Sequence, residues 1–517
     1  MPDKKVKLSD REHPSYTEYK DIWDFYFDAV MGGSNFINSD YLFSHRLEDD
    51  TDFQDRLERS YYLNFCDAIP NMYNTFIFRE IVERPPNIDL EFFRRNIDKK
   101  GTKIQDFVKL CGYLASIYGV IHCLVDIPTV TEKKIITRED DKNGLTTPMC
   151  KIIYPSQIVD WSEDANGNLR WIIIKYTYLR DEDPTVERTE EIHYKLITTE
   201  EWRIEDEDGN PVKLPDADSK GPNTFGFIPL VTMFHKNIDD NMIGESLIRD
   251  IAYINRTLLN WCSCIDEMIE RQTFSQLIIP DDGSMGQEDE SGVDPLDDVG
   301  TGVAFTFPHD STHTPKFISP DTTGIKTVWS LVMDHIKEMY RLGGLSGGVG
   351  DLYASKSGRA AQVGFTSVNS ALSDKAAKYE KFENDISKTA LILMNKDASS
   401  YDAVKYPSSF DVSALSDELD SNFKIIRANF SETLNKGLMK NISRKALPLA
   451  SEIMRKDIES EIESGDGTIT GFEIGGNNDD DESAVGEGNP NVNNLSDTTR
   501  TSQDLEDDEK KKKKKDK

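Results

Sequence analysis

The stretch that decides the fold is SPDTTGIKTVWSLVMDHIKEMYRLGGLSGGVG, residues 319–350. It opens with Ser319, Pro320 and Asp321, which supply an N-cap hydroxyl, a proline at the first helical position and an acid at the positive end of the helix dipole. Apolar residues then recur at three- and four-residue spacing, as on one face of an α-helix: Ile325, Val328, Trp329, Val332, Ile336, Met339 and Tyr340. The pattern stops at Gly343–Gly350, where five of eight residues are glycine. The stretch therefore predicts a helix that ends in a glycine-rich loop.

A second, longer helix is predicted after the loop. Its apolar stripe consists of Ala361, Phe365, Val368, Leu372, Tyr379, Phe382, Ile386 and Leu393. No proline occurs between Pro320 and Pro407, so a helix of about 35 residues is allowed, well above the usual length. Two long helices joined by a glycine-rich loop indicate a structural scaffold that carries a flexible loop.

A third helical seam precedes these two and is predicted to start at Gly244. Its spacing of 4-3-4-3-4-3 is typical of helices that pack lengthwise: Leu247, Ile251, Ile254, Leu258, Trp261, Ile265 and Met268. A short strand Gln276–Ile279, an acidic segment Pro280–Gly302 and a strand pair, Val303–Phe307 with Pro315–Ile318, follow it. We expect this small α/β insertion to project at one end of the molecule, because two long helices must both reach it.

The N-terminal half predicts aromatic helices followed by an antiparallel β section. After polar residues 1–12, one helix runs from His13-Pro14 to Gly32-Gly33 and a second pattern from Phe53 to Phe78. A shorter helix, Ile104–Ile117, leads into a strand, Val120–Ile127. Runs rich in β-branched and aromatic residues then predict strands: Cys150–Tyr154, Ile158–Trp161, Trp171–Leu179, Glu191–Ile197, Glu201–Ile204 and Ile228–Phe234. The fold class is α+β.

The C-terminal part predicts helices and then a tail. A helical run covers Leu415–Leu434, and Ser443 is expected to open another helix. From Gly465 the composition cannot offset the entropy of ordering, so 465–517 is predicted to be disordered. The lysine run Lys510–Lys515 is interpreted as solubilising, with contact to DNA or an acidic partner as the alternative.

Charge and composition restrict the function. The net charge of −32 argues against a protein that grips phosphates through clustered Lys and Arg, but not against one that lets DNA slide past. We find neither a secretory signal nor an apolar run long enough for a membrane span. We therefore expect the protein to act in the cytoplasm or in a particle assembled there.

No catalytic, cofactor-binding or metal-binding residues are predicted. Lys356-Ser357 lacks the glycine and the preceding strand of a nucleotide-binding P-loop. Cys262 and Cys264 are two apart on a helix, so they point in different directions, which is poor geometry for a shared metal. The expectation is a structural protein, not an enzyme.

The order of elements resembles the portal proteins of tailed double-stranded DNA bacteriophages, over residues 13–464. The likeness is carried by these residues: His13-Pro14 with Trp23 and Asp28, Tyr41-Leu42, Arg56 with Arg59-Ser60-Tyr61, Leu124-Val125-Asp126-Ile127-Pro128, Ile228-Pro229-Leu230-Val231, Gly244-Glu245-Ser246 and Ser357-Gly358-Arg359-Ala360. The resemblance implies a ring, usually a dodecamer, at one capsid vertex. Such a ring is the conduit for genome packaging and ejection in the virion.

The same resemblance implies a division of the chain. After a flexible N-terminus 1–12 come the wing 13–243, a first stem helix 244–274, the clip 275–319, a second stem helix 320–342, the tunnel loop 343–358, a long helix 359–399 returning to the wing, C-terminal wing or crown helices 400–464 and the tail 465–517. Implied partners are further copies of the chain, DNA bound without sequence specificity, terminase, head–tail connector proteins, and the major capsid protein or a scaffold, with no membrane.

The site residues implied by the resemblance fall into three groups. The tunnel loop facing DNA comprises Gly343, Gly344, Ser346, Gly347, Gly348, Gly350, Lys356 and Arg359. Clip residues expected to contact partners are Asp281, Asp282, Asp289, Glu290, Asp297 and Asp298. Stem packing is expected from Leu247, Ile251, Ile254, Leu258, Trp261, Ile325, Val328, Trp329, Val332 and Ile336. For Lys356 and Arg359, a salt bridge at the helix start or a solvated charge is the alternative to a transient phosphate contact.

Two other classes of protein remain open at this point. A structural adaptor of the phage head or neck would have the helices without a ring around a channel. An enzyme acting on nucleic acid would need a metal or nucleotide site. A monomer or dimer in solution would favour the structural adaptor. ATP hydrolysis or DNA cleavage that depends on a divalent metal would favour the enzyme.

Overall fold

The computed structural model describes residues 6–46, 48–127, 147–180, 184–212, 218–238, 240–272, 276–278, 316–318, 323–345, 358–408, 410, 424–426, 428, 431–446 and 452–465. Helices and antiparallel sheets are both present, as the α+β prediction requires. The chain divides into two compact units, Met1–Val412 and Ser413–Lys517.

The described residues of the N-terminal part include these helices: α1 (Pro14–Met31), α2 (Gly33–Asn38), α3 (Asp50–Arg59), α4 (Phe65–Ile77), α5 (Glu91–Arg95) and α6 (Ile104–Tyr118). The aromatic helix α1 is confirmed. Its N-cap is His13, whose ring accepts a hydrogen bond from the Ser15 N–H, and Pro14 holds the first helical position. Trp23 is buried on its inner face and donates from Nε1 to the Tyr118 carbonyl at 3.2 Å.

The single helical pattern predicted from Phe53 to Phe78 is wrong, because the chain leaves the helix between α3 and α4. The Tyr62 hydroxyl donates to the Ala29 carbonyl at 2.9 Å, at the end of α1. Asn64 donates to the Val30 carbonyl and caps α4 by accepting from the Asp67 N–H at 3.0 Å. These bonds to α1 hold residues 60–64 in a non-helical connection.

Twelve strands are described: β1 (Val120–Asp126), β2 (Met149–Ile153), β3 (Ile158–Glu163), β4 (Leu169–Arg180), β5 (Thr189–Thr198), β6 (Glu201–Asp206), β7 (Lys220–Pro222), β8 (Leu230–Phe234), β9 (Lys236–Ile238), β10 (Asp240–Glu245), β11 (Gln276–Ile278) and β12 (Lys316–Ile318). They form a five-stranded meander β3–β7, a three-stranded sheet β2-β1-β8 and two ribbons, β9–β10 and β11–β12. The predicted β runs are thus confirmed, with ends shifted by a few residues.

The long helix α9 (Gly358–Leu393) confirms the predicted length, with 36 residues. Its stripe is buried from Val368 to Leu393 against β8, β1, α4 and α6. We call residues 6–245 together with 358–410 the body. The hydrophobic core of the body lies between these helices and the sheets.

Two antiparallel helices pack on each other, and the first of them also packs on α1, α3 and α4. We call α7 (Arg249–Gln272), β11, β12 and α8 (Thr323–Leu342) the arm. The rings of Trp261 and His335 lie 4.8 Å apart between the two helices. At the far end β11 pairs with β12, with Leu277 opposite Phe317. The predicted partner of that second strand, Val303–Phe307, lies outside the described residues, so this pairing stays a prediction.

The predicted start of the first arm helix at Gly244 is wrong. Gly244 and Glu245 end strand β10, and α7 begins at Arg249. The backbones of Gly244 and Gly119 approach so closely that a Cβ on Gly244 would overlap the Gly119 carbonyl. The chain turns into the helix only afterwards, where the Ser246 hydroxyl accepts from the Ile248 N–H at 3.1 Å. The predicted cap of α8 at residues 319–321 lies outside the described residues.

The second unit contains α10 (Glu432–Ala446) and α11 (Glu452–Ser464). The prediction that Ser443 opens a helix is wrong, since Ser443 lies inside α10 and its hydroxyl donates to the Lys440 carbonyl at 2.8 Å. Of the predicted run Leu415–Leu434, the described part is helical at 424–426, 428 and from Glu432 onward. The predicted end of helix before Gly465 is confirmed, and 466–517 lies outside the described residues.

Candidate functional site at the root of the arm

The root of the arm is the place in the body where α7 begins and α8 ends. On the α7 side, the carbonyl of Ser116 in α6 accepts hydrogen bonds from the Leu247 N–H at 2.9 Å and from the Ser246 hydroxyl at 3.2 Å. The Ser246 hydroxyl also lies within hydrogen-bond distance of the Ile117 carbonyl. The end of α6 therefore fixes the point at which α7 begins.

The glycines after α8 form a helix stop. The Leu345 N–H donates to the Tyr340 carbonyl at 2.9 Å, and the Gly344 N–H to the Arg341 carbonyl at 3.1 Å, which together make a Schellman motif. Gly344 has φ +69°, a left-handed conformation that favours glycine. Leu345 is fully buried, as the apolar residue of this motif commonly is.

Gly343 is held against α4. The Tyr73 hydroxyl donates to the Gly343 carbonyl at 2.7 Å, and a Cβ on Gly343 would lie 2.8 Å from the Ile69 Cγ2 atom. A side chain larger than hydrogen does not fit here without displacing Ile69. The first two glycines of the predicted tunnel loop are therefore packed at the root of the arm, and their contact with DNA stays a prediction.

The other predicted loop and clip residues are not brought together by the described part of the structure. Arg359 lies in the first turn of α9. The remainder lie outside the described residues: Ser346, Gly347, Gly348, Gly350 and Lys356 in the loop, and Asp281, Asp282, Asp289, Glu290, Asp297 and Asp298 in the clip. Their roles remain predictions.

The predicted packing residues of the arm divide into three groups. Ile251, Leu258 and Val332 are buried. Those that are partly buried against the core are Leu247, Ile254, Trp261, Ile325, Val328 and Ile336. Trp329 differs, because 45% of its surface is exposed in the single chain. Leu331 and Met333 on the same helix are also exposed.

Sequence reasoning missed a polar cluster in the body at the root of the arm. Lys375 of α9 is 4% exposed, and its Nζ is hydrogen-bonded to Ser116 Oγ and lies 3.2 Å from His235 Nδ1. It also lies 5.5 Å from the ring centroid of Tyr73, the residue that holds Gly343. A signal was present: Lys375 stands three residues after Leu372 and four before Tyr379, on the buried stripe.

Burial shifts the pKa of both basic groups in this cluster. Burial, followed by the charge of Lys378, lowers the pKa of Lys375 to about 7. Burial, together with the neighbouring lysines, lowers the pKa of His235 well below its ordinary value. Both groups are therefore neutral above about pH 7.

The described residues offer no metal centre. Among them, no three His, Cys, Asp or Glu side chains are grouped to hold an ion. Cys262 is buried and Cys264 exposed, so the two point to different sides of α7 as the spacing predicted. Among the helices of the described ranges, none combines the length and apolar character that a membrane crossing needs.

Comparisons with known proteins show a likeness to solved structures and no match to a protein family. No protein-family model and no curated protein matches the chain. Among solved structures, the chain is similar to one described as the neck of an empty GTA particle computed with C6 symmetry. The identity is 10%, the TM-score is 0.39, and the match covers 71% of this chain and 86% of that one. A TM-score below 0.5 carries no structural or functional conclusion.

Proposed function

We propose that this chain is the portal protein of a tailed-phage-like particle. Copies of it would form a ring at one capsid vertex, through which double-stranded DNA passes during packaging and ejection. The proposal is supported by the order of motifs from His13-Pro14 to Ser357–Ala360 and by the arm, whose helices and terminal ribbon we assign to the stem and clip of that architecture. Terminase and connector proteins would dock on the clip.

The observation that carries the proposal is the uneven burial of α8. Val332 and Met339 are the buried residues of this 20-residue helix, while Trp329, Leu331 and Met333 are exposed. Met333 lies one turn after Trp329 on the same face of α8, whereas Leu331, two residues from each, points to another side. The face with Trp329 and Met333 is an exposed apolar surface of the kind that protein contacts use. In a ring, the arm of the adjacent copy would cover this surface.

Charge supports a conduit rather than a DNA-binding protein. The chain carries 93 acidic and 61 basic residues, so a channel lined by many copies would repel phosphates on average. DNA would then slide without being held. The role is structural rather than catalytic, with the packaging motor supplied by a partner, and the place of action is the portal vertex of the virion.

The proposal is tested by the solution mass of the purified chain together with negative-stain images. Twelve copies of the 58.7 kDa chain would weigh about 704 kDa and would appear as rings with an axial hole. A closed dimer without a hole would contradict the proposal and favour an adaptor of the head or neck. If only a monomer is found, the same measurement after co-expression with the capsid or scaffold protein decides, and a monomer there also contradicts it.

A further inference from the structure

Lys375 lies where three separate parts of the body meet the two ends of the arm. Its own helix, α9, crosses α6 at Ser116 and the end of β8 at His235. The carbonyl of Ser116 holds the start of α7 through the Leu247 N–H. The ring of Tyr73, which faces the Lys375 Nζ, holds the end of α8 through the Gly343 carbonyl. One side chain thus adjoins the anchors of both arm helices.

The hydrogen-bond acceptors around Lys375 suit an amine better than an ammonium. A neutral amine has two N–H donors, and Ser116 Oγ and His235 Nδ1 are the two polar atoms at its Nζ. The Ser116 hydroxyl itself donates to the Gly112 carbonyl at 2.7 Å, which leaves its oxygen free to accept. Within the described ranges the third N–H of an ammonium finds no hydrogen-bond acceptor, and a buried charge is costly unless paired.

The charged groups around Lys375 do not compensate a buried cation. Lys378 lies one turn later on α9, donates to the His235 carbonyl at 2.7 Å and is paired with Asp374, which is mostly exposed. Lys236, next to His235, is paired with Glu245 at 2.8 Å. In the described part of the chain no carboxylate forms an ion pair with Lys375. Two groups favour the cation: the carboxylate of Asp374, through its charge, and the ring of Tyr73, through its π face.

We propose that the protonation state of Lys375 controls how firmly the arm is attached to the body. The neutral amine holds α9 to Ser116 and His235, and protonation weakens the contacts that fix the start of α7 and the end of α8. The device is independent of ring formation, because every contact in it lies within one chain.

The sign of the effect follows from the two states of the lysine. We call the root closed when Lys375 is buried against Ser116 and His235, and open when these contacts are broken. In the open root Lys375 is exposed to water and has an ordinary pKa near 10.4, whereas in the closed root burial lowers this pKa to about 7. The open state therefore binds more protons between these values, and opening becomes easier as the pH falls from 10 to 7. His235 contributes below about pH 6.5, because its pKa in the closed root lies under its ordinary value.

The test is hydrogen exchange of the full chain, read by mass spectrometry at peptides that contain Leu247 and Leu345. Exchange is measured at pH 8.5, 7.5 and 6.5 and expressed as protection relative to the unstructured chain, which removes the intrinsic pH dependence. Wild type, Lys375→Met and the control Lys381→Met are compared. Methionine keeps the length of the side chain without a titrating group, and Lys381 is an exposed lysine of the same helix.

We expect the protection of both peptides in the wild type to fall by more than about tenfold from pH 8.5 to 6.5. In Lys375→Met it should change by less than about twofold, and in Lys381→Met it should follow the wild type. Flat protection in the wild type overturns the proposal, as does an undiminished pH dependence in Lys375→Met. If Lys375→Met does not fold, the other two proteins decide, because loss of the dependence in Lys381→Met would assign it to the wrong lysine.

Discussion

The long helix α9 of the body and the helix α8 of the arm have similar apolar stripes, yet the protein buries them very differently. From Val368 to Leu393 the stripe of α9 is enclosed by helices and strands on several sides. In α8 one side packs on α7, and 45% of the surface of Trp329, beside that seam, is exposed. The difference teaches that two similar stripes acquire different burial from their surroundings: other elements of the same chain enclose α9, whereas part of α8 is left uncovered.

The largest expected effect is the loss of a buried ion pair that ties α9 into the body. Arg84 donates from Nε to Glu383 Oε1 at 2.6 Å and from Nη2 to Oε2 at 3.0 Å, and Glu383 is fully buried. Arg84→Leu leaves that carboxylate without its partner and should cost about 3–5 kcal/mol of unfolding free energy, measured with urea. The exposed pair Arg95–Glu91 is the control, because Arg95→Leu should cost less than about 1 kcal/mol. Equal losses would mean that α9 is not held in this way.

A second change acts where the arm joins the body. Gly244→Ala places a methyl group against the carbonyl of Gly119, so the two backbones must separate, at a cost of about 3 kcal/mol. The control is Gly437→Ala in α10, where a Cβ meets nothing within 4 Å and should stabilise the helix by about 0.5–1 kcal/mol. Thermal unfolding measures both. A neutral Gly244→Ala would show that the contact between β10 and the end of α6 is loose.

Acid should weaken the contact between α3 and α7. The two hydrogen bonds from Arg56 lower the pKa of Glu48 to about 2, and Arg56 in turn donates to Ser263 in α7 at 2.7 Å. Because the pKa of Glu48 is lower in the folded state, its contribution is present above about pH 4.5 and is lost as the pH falls toward 2. Over that window the wild type should lose about 3 kcal/mol more stability than Glu48→Gln. Parallel acid-unfolding curves for the two proteins would contradict this.

Trp329→Ser is expected to have the smallest effect on the single chain but a large effect on assembly. Since 45% of Trp329 is exposed, its removal should change the unfolding free energy of a monomer by less than about 1 kcal/mol. The control is Trp23→Ser, which empties a buried site and should cost about 3–5 kcal/mol. Sedimentation of the Trp329→Ser chain should show the ring lost and a folded monomer retained. A ring that survives the change would place the contact between copies elsewhere.

Several features were predictable because neighbouring residues decide them. The length of α9 follows from an uninterrupted stripe without proline, and the end of α8 follows from Gly343-Gly344, since a left-handed residue stops a helix. The opposite directions of Cys262 and Cys264 follow from helical spacing alone. The errors occurred where a distant contact overrides a local pattern: Tyr62 and Asn64 bond to α1 and interrupt one predicted helix, and Gly244 stays in a strand because Gly119 lies against it.

The sequence by itself determined which faces are apolar, where helices can run and where they must stop, because periodicity and glycine act over a few residues. Only the tertiary structure decided that the glycines after α8 are packed on α4, that Trp329 is left exposed, and that Lys375 is buried beside Ser116, 259 residues away in the chain. Burial is a property of the elements that surround a side chain, and residues so far apart are brought together only when the core forms.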